Sequence, residues 1–269
     1  EGVTMSERVV GESIEKAVSE ADGRIIVATF ASNIHRVQQV VDAAFKHNRK
    51  VAITGRSMIN YVNIASDLGY LNIPEGMMID LKDAKKYRDN RVCLLTTGSQ
   101  GEPMAALTRM ARGDHRQINI RKGDTVIVSA SAIPGNEKLV AQVINRLFKR
   151  GADVIYDAVS GVHVSGHASQ DELKLMLNLV KPRFFIPVHG EYRHLHHHAK
   201  LAVETGVPEE NVFIAEVGSI LQFTNDNSKV AGSVTAGPIL VDGLGVGDVG
   251  NIVLRDRRLL SQDGVIIVV

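Results

Sequence analysis

Five short runs constrain the fold of this 269-residue chain more than anything else in it. They are RIIVATF (24–30), KVAITG (50–55), RVCLLTTG (91–98), DTVIVSA (124–130) and DVIYD (153–157). Each reads as a continuous apolar stretch rather than an alternation of apolar and polar residues. That is the pattern of a strand buried on both faces. The segments between them carry helical spacing. After RIIVATF, Val37, Val40, Val41, Ala44 and Phe45 form one stripe, and helices are expected over 57–69, from about Pro103 to Ala111, and through Phe148. Strands of this kind separated by helices predict an α/β fold with a mainly parallel sheet covered on both faces.

After residue 157 the pattern changes. A histidine-containing loop, 160–169, precedes a helix over 170–180 with Leu173, Met176, Leu177 and Val180 on one face. RFFIPVHG (183–190) reads as a strand and 191–205 as a helix. NVFIAEV and ILQFT look like an antiparallel pair around Gly218 and Ser219. A glycine-rich stretch then leads to an expected hairpin of NIVLRDRRLL and VIIVV with its turn at SQDG. No internal repeat is evident.

Bulk properties exclude several classes. Hydrophobic residues make up 44% of the chain, enough for one large domain or two ordinary ones. Lys plus Arg is 31 and Asp plus Glu is 30, so net charge gives no sign of a nucleic-acid binder, although a local basic groove is compatible with that balance. The single cysteine, Cys93, rules out a disulfide framework and fits a reducing cytoplasm. No apolar run reaches membrane-spanning length, and no signal-peptide pattern opens the chain. Met5 is internal and the chain stops within the apolar run GVIIVV, so a piece of a longer protein is expected.

Three strand-to-helix loops could carry chemistry: FASN (30–33), TTGSQGEP (96–103) and SASAIPGNE (129–137). In open α/β sheets ligands bind at the carboxyl ends of strands, and backbone N–H groups at helix N-termini suit phosphate. The plain alternative is helix capping by Ser32, Asn33, Ser99 or Asn136. In GVHVSGHAS (161–169), His163, Ser165 and His167 alternate and in extended chain would face one side, where they could hold a phosphate and move a proton. His189, before Gly190, is a candidate metal ligand, but a catalytic zinc needs about three protein ligands. Five of the ten histidines fall in FFIPVHGEYRHLHHHAK (184–200). Those on the helix there, His194, His196, His197 and His198, lie mostly off its expected buried stripe of Tyr192, Leu195, Ala199, Ala202 and Val203. They read as a solvated surface, with His194 and His198 able to chelate a stray ion.

GVHVSGHAS followed by FFIPVHGEYR, together with ATFASNIHRVQQV, TGSQGEPMAALTRMA and GNIVLRDRRLLSQDG, resembles bacterial ribonuclease J, a β-CASP ribonuclease of the metallo-β-lactamase superfamily. Within that family the chain looks more like a second, weakly active paralogue than the main enzyme. The resemblance implies a Rossmann-like β-CASP domain over 1–157, the C-terminal part of a metallo-β-lactamase αββα domain over 158–228, and a linker with the start of a C-terminal domain over 229–269. It implies His189 as a metal ligand and His167 as a catalytic histidine near the metals. His163, Val164, Ser165, Gly166 and His167 would grip a nucleotide phosphate, with Ser32, Asn33 and Ile34 as a second contact. Gly98, Ser99, Gln100, Gly101 and Glu102 would lie near the RNA channel.

The implied activity is hydrolysis of RNA phosphodiesters, as endonuclease and 5′-to-3′ exonuclease, in RNA maturation and decay. It would use two divalent metal ions, zinc or else manganese or magnesium, and prefer a 5′-monophosphate. The implied partners are RNA and a homo-oligomer or a hetero-oligomer with a paralogue, with no membrane. The family's main metal motif, His-x-His-x-Asp-His, is absent from this chain, as are the later metal histidine and the bridging aspartate. They would lie before residue 1, so no tightly bound ion and no activity are expected of these residues alone. The alternative reading is a catalytically weak scaffold that binds RNA and an active paralogue. A small-nucleotide binder lacks its Gly-x-Gly-x-x-Gly fingerprint here.

Overall fold

The computed structural model describes residues 2–156, 161–224, 227–237, 239, 241–242, 245–246 and 250–260. The chain divides into two compact units, Glu1–Ser169 and Gln170–Val269.

The first unit opens with α1 (Glu7–Glu20), capped by the Ser6 hydroxyl, which accepts from the Arg8 N–H. It continues through β1 (Ile25–Ala28), α2 (Ile34–Lys46), β2 (Lys50–Thr54), α3 (Arg56–Asp67), β3 (Val92–Thr96), α4 (Ala106–Arg112), β4 (Thr125–Val128), α5 (Glu137–Lys149) and β5 (Asp153–Tyr156). The five strands form one parallel sheet in the order β2-β3-β1-β4-β5, as the apolar runs predict. Ile26 stands level with Leu94 on one side and Val126 on the other. A short edge segment lies beyond β2, where the Val51 N–H donates to the Met77 carbonyl and the Ile79 N–H to that of Val51.

Alternate residues of the buried strands face opposite cores. Ile25, Val27, Val51, Cys93 and Leu95 pack with α1, α2 and α3; Ile26, Ala28, Leu94 and Val126 pack with α4 and α5. Burial of each large apolar side chain is worth about 1.5–3 kcal/mol. Burial also pushes the Cys93 thiol up to about 12, so this cysteine is an inert core residue. From β1 the chain first winds outward through β2, then returns to β3 and crosses to β4 on the other flank of β1. The winding therefore reverses about β1, and in open α/β sheets the carboxyl end of the strands at such a point is where ligands bind.

Three details of this unit differ from expectation. Phe45 is exposed, and the buried face of α2 extends on its other side to Arg36 and Ala43. The helix expected from Pro103 starts at Ala106, because Glu102 to Ala105 turn first: the Ala105 N–H donates to the Glu102 carbonyl and the Leu107 N–H to that of Thr97. The stretch 163–167 is not fully extended, because the His167 N–H donates to the Ser165 hydroxyl and closes a turn at 165–167.

The second unit contains α6 (Gln170–Val180), α7 (Tyr192–Glu204), a hairpin of β6 (Ser219–Phe223) and β7 (Ser228–Ser233), the short pair β8 (Val241–Asp242) and β9 (Gly245–Val246), and α8 (Asn251–Leu260). Its described core is small: Leu177, Ala202 and Val207, with Phe185 and Val212 against them. RFFIPVHG and NVFIAEV do not form full strands. They meet only where the Phe185 N–H donates to the Asn211 carbonyl and the Phe213 N–H to that of Phe185. Pro182 and Pro187 remove the donors a longer ladder would need. The partner of ILQFT is accordingly Ser228–Ser233, not NVFIAEV.

NIVLRDRRLL is a helix, not a strand. Its Leu-Arg-Asp-Arg-Arg-Leu-Leu run is built from residues that mostly favour helix and lacks the two-residue alternation of a half-buried strand. VIIVV and the SQDG turn lie outside the described residues. On α6, Met176 and Val180 are exposed and only Leu177 of the expected stripe is fully buried. On α7, Tyr192 and Val203 are exposed and Leu201 is buried.

Candidate RNA phosphate site

The carboxyl edge of the five-stranded sheet gathers the loops that follow β1, β3 and β4. The Thr29 N–H donates to the Thr96 carbonyl and the Ser129 N–H to that of Ala28, so the three chains leave the sheet side by side. Asn33 caps α2: its side-chain oxygen accepts the Arg36 N–H at 3.0 Å, so the capping reading holds for this residue. Ser32 is exposed beside it, and Ile34 is partly buried against the core. Ser99 is buried without capping α4, and Asn136 stands at the start of α5 without a side-chain cap bond.

The loop Gly98–Glu102 is fixed by one side chain. Gln100 is buried; its amide donates to the Ser131 carbonyl at 2.8 Å, and its oxygen accepts the Ile133 N–H at 2.7 Å. The loops after β3 and β4 are thereby clamped together. Gly98 has φ +105, and a Cβ there would stand 2.9 Å from that of Ala105. Gly101 has φ +74, and a Cβ there would reach within 2.6 Å of the Leu139 backbone. Only glycine fits either place.

The loop 161–169 is joined to the same edge by Arg36, a residue the sequence did not single out. Arg36 is 1% exposed although it lies in the first turn of α2. Its guanidinium pairs with Glu7 on α1 and donates to the Ser129 hydroxyl, to the Ser129 carbonyl at 3.3 Å and to the Val162 carbonyl at 3.0 Å. Ser129 adds a second bond to the same Val162 carbonyl at 2.6 Å. Val162 is buried and Val164 packs on the core, so His163 leaves a fixed backbone and is itself half-buried. Ser165, Gly166 and His167 stand exposed beyond it. The Ser165 hydroxyl accepts from the His167 N–H at 3.0 Å, which leaves its own proton to be donated. The N-terminal segment steadies the far end: the Thr4 hydroxyl donates to the His167 carbonyl and the Ser169 hydroxyl to that of Gly2. Ser32–Ile34 and His163–His167 are thus brought to one edge, and Gly98–Glu102 lies alongside, tied to the loop after β4.

His189 belongs to the second unit. It is exposed and in the left-handed region at φ +66. Among the described residues no three His, Cys, Asp or Glu side chains come together to hold a metal ion. The donor set described here therefore does not by itself fit a catalytic metal centre.

The α7 histidines have other roles. The His194 Nδ1 accepts the Glu191 N–H at 3.0 Å, closing the start of the helix, and Gly190 leaves room for that ring, since a Cβ there would stand 2.9 Å from the His194 Cβ. His198 lies edge-on to Phe185 with centroids 4.8 Å apart, and burial holds its pKa below the usual histidine value. His196 lies parallel to the Tyr192 ring at 6.5 Å.

Comparison with known proteins gives this geometry a family. Residues 22–147 match the model "Ribonuclease J, beta-CASP domain", and residues 151–215 match "Zn-dependent metallo-hydrolase RNA specificity domain". Ribonuclease J2 of Bacillus subtilis (strain 168) is 49% identical over 268 residues, which cover 100% of this chain and 48% of that protein. Ribonuclease J 1 of Streptococcus pyogenes serotype M3 is 50% identical over 266 residues, covering 99% of this chain and 48% of that one. Ribonuclease J of Mycolicibacterium smegmatis is 48% identical over 268 residues, again 100% and 48%. The chain spans about half the length of the curated relatives it matches. With the two domain models in sequence along it and this identity over its whole length, the chain belongs to the ribonuclease J family.

Proposed function

We propose that this chain supplies the RNA-gripping part of a metal-dependent ribonuclease that hydrolyses phosphodiesters in RNA maturation and decay. It would act within the strand and from the 5′ end, and prefer a 5′-monophosphate. The observation that carries the reading is the convergence of Ser32–Ile34 and His163–His167 at the edge where the winding of the sheet reverses, held by one buried arginine. In this reading His163 and Ser165 donate to a phosphate, with Ser32 and Asn33 beside them. His167 neutralises charge on the scissile phosphate or protonates the leaving oxygen. Gly98–Glu102 border the RNA path.

His189 is assigned as one metal ligand. The described residues around it do not complete a metal centre. The resident ion proposed is zinc, in agreement with the name of the matching domain model. Residues 1–157 are assigned to the β-CASP domain, 158–228 to the metallo-hydrolase domain and 229–269 to the linker and beginning of a further domain. A cytoplasmic oligomer, with itself or a paralogue, completes the proposal.

The test is the pair of changes His163→Ala and Ser165→Ala in the whole protein. Cleavage that depends on a 5′-monophosphate should fall at least tenfold more than internal cleavage. Equal loss of both activities would remove these residues from the phosphate pocket.

A further inference from the structure

The opposite end of the same sheet carries a second charged feature. Helices α4 and α5 run antiparallel to the strands, so their last turns reach the sheet's amino-terminal edge. There, among the described residues, Arg112, Arg146, Lys149 and Arg150 line an open basin of ≈ 620 Å³, together with Ala111. Several other cations of this unit are matched: Arg24 pairs with Asp124 at 2.7 Å, Arg109 with Asp114 at 3.8 Å, and Arg121 with Asp89. Among the described residues, none of the four basin cations has a carboxylate partner.

All four stand in or just after the last turns of α4 and α5, where the helix dipole favours a cation. Arg150 caps α4: its Nε donates to the Ala111 carbonyl at 2.7 Å and an Nη to that of Arg112 at 2.5 Å. Such a cation at a helix C-terminus is stabilising. The seat depends on Gly113, which has φ +87 and where a Cβ would fall 2.2 Å from that Nη. This fixes one guanidinium at the basin wall. Arg112, Arg146 and Lys149 face the same space, where their mutual repulsion is screened by solvent and an anion among them would relieve it further.

We propose that this basin binds the phosphate backbone of single-stranded RNA, as a second contact at the end of the sheet away from the candidate phosphate site. The proposal rests on the ribonuclease reading for its choice of ligand. RNA fits better than an acidic protein segment for two reasons. Guanidinium forks match phosphate oxygens. Among the described residues the basin also has no aromatic or large aliphatic anchor of the kind that holds protein partners, its neutral lining being Ala111. The strands between the two ends are four or five residues long, or roughly 15 Å at the usual rise. Only an RNA longer than a few nucleotides can therefore occupy both.

The test is binding of 5′-monophosphorylated single-stranded RNA to the whole protein, measured by fluorescence anisotropy with a long oligonucleotide of about 30 nucleotides and a short one of about two, too short to span the roughly 15 Å between the two ends. The variant is Arg112→Gln, Arg146→Gln and Lys149→Gln together, with Arg150 left in its seat. Long-RNA affinity at low salt should fall at least tenfold, and the slope of log K against log salt should shrink by about two, as expected for three lost contacts on a single strand. Short-RNA binding should not change. Long-RNA affinity and slope equal to those of the unaltered protein would overturn the proposal. So would displacement of the long RNA by polyglutamate as readily as by RNA of equal charge, which would mark the basin as a site for an acidic protein. If His163→Ala with Ser165→Ala leaves short-RNA binding intact while the triple variant still loses long-RNA affinity, the phosphate-site reading fails and the basin stands. Should the triple variant melt early, the single changes Arg146→Gln and Lys149→Gln carry the same comparison.

Discussion

Arg36 shows how a residue can be central to a site and still be invisible in the sequence. In the first turn of a helix, after Ser-Asn-Ile-His, an arginine reads as surface. Its burial follows from partners 29, 93 and 126 residues away, at Glu7, Ser129 and Val162, and no local pattern announces them. Arg36→Met should cost on the order of 3 kcal/mol, because it leaves Glu7 without its partner and the carbonyls of Ser129 and Val162 with one bond fewer. Arg36→Lys should recover only part of this, since an ammonium cannot reach three groups as a planar fork does. Urea unfolding of both variants checks the order.

His115 makes a pH-dependent counterpart. Its Nδ1 accepts the N–H groups of Gln117 and Ile118, and its Nε2 lies 3.3 Å from the Thr54 hydroxyl. Burial, and then the charge of Arg109, hold its pKa below the usual histidine value. The folded state thus favours the neutral ring. The stability this contributes is fully present above the unfolded value of about 6.5 and is lost as pH falls from there through the lowered folded value. His198, lowered by burial, adds in the same direction. Denaturation midpoints should drop between pH 7.5 and 5.5, and His115→Gln should flatten that dependence. A midpoint that rises on acidification would contradict the assignment.

At the scale of elements, what could be read in advance followed burial. Strands such as VCLL and TVIV are apolar throughout because both faces are covered, so sequence alone places them. The loops of the candidate site were also legible, since glycines at positive φ and small polar residues at strand ends mark turns with a purpose. RFFIPVHG and NVFIAEV, on either side of the correctly expected helix α7, were not: they are apolar enough for strands, but the described residues there form only one bridge, between Phe185 and Val212. NIVLRDRRLL misled because β-branched residues open a run whose remainder favours helix. Gln100 gives the test at this scale. Gln100→Ala removes both bonds between the loops after β3 and β4 and should destabilise by about 1–3 kcal/mol. Hydrogen exchange at the Ile133 amide should quicken selectively, and unchanged protection there would show that the clamp is not Gln100.

Considered whole, the described chain has unequal halves. The first unit closes two apolar clusters around a covered sheet, whereas the described core of the second rests on Leu177, Ala202 and Val207. Amides of Ile25–Ala28 and Thr125–Val128 should therefore be the slowest to exchange, and those of α6 and α7 should exchange at lower denaturant. If the carboxyl edge of this sheet grips an RNA phosphate, hydrogen exchange with and without RNA carrying a 5′-monophosphate, compared with the same RNA ending in a 5′-hydroxyl, should show it. Added protection is expected at residues 31–36 and 162–169, with a smaller effect at 98–102, and the gain should shrink when the terminal phosphate is removed. Protection that is absent from 162–169, or identical for the two RNA ends, would contradict it.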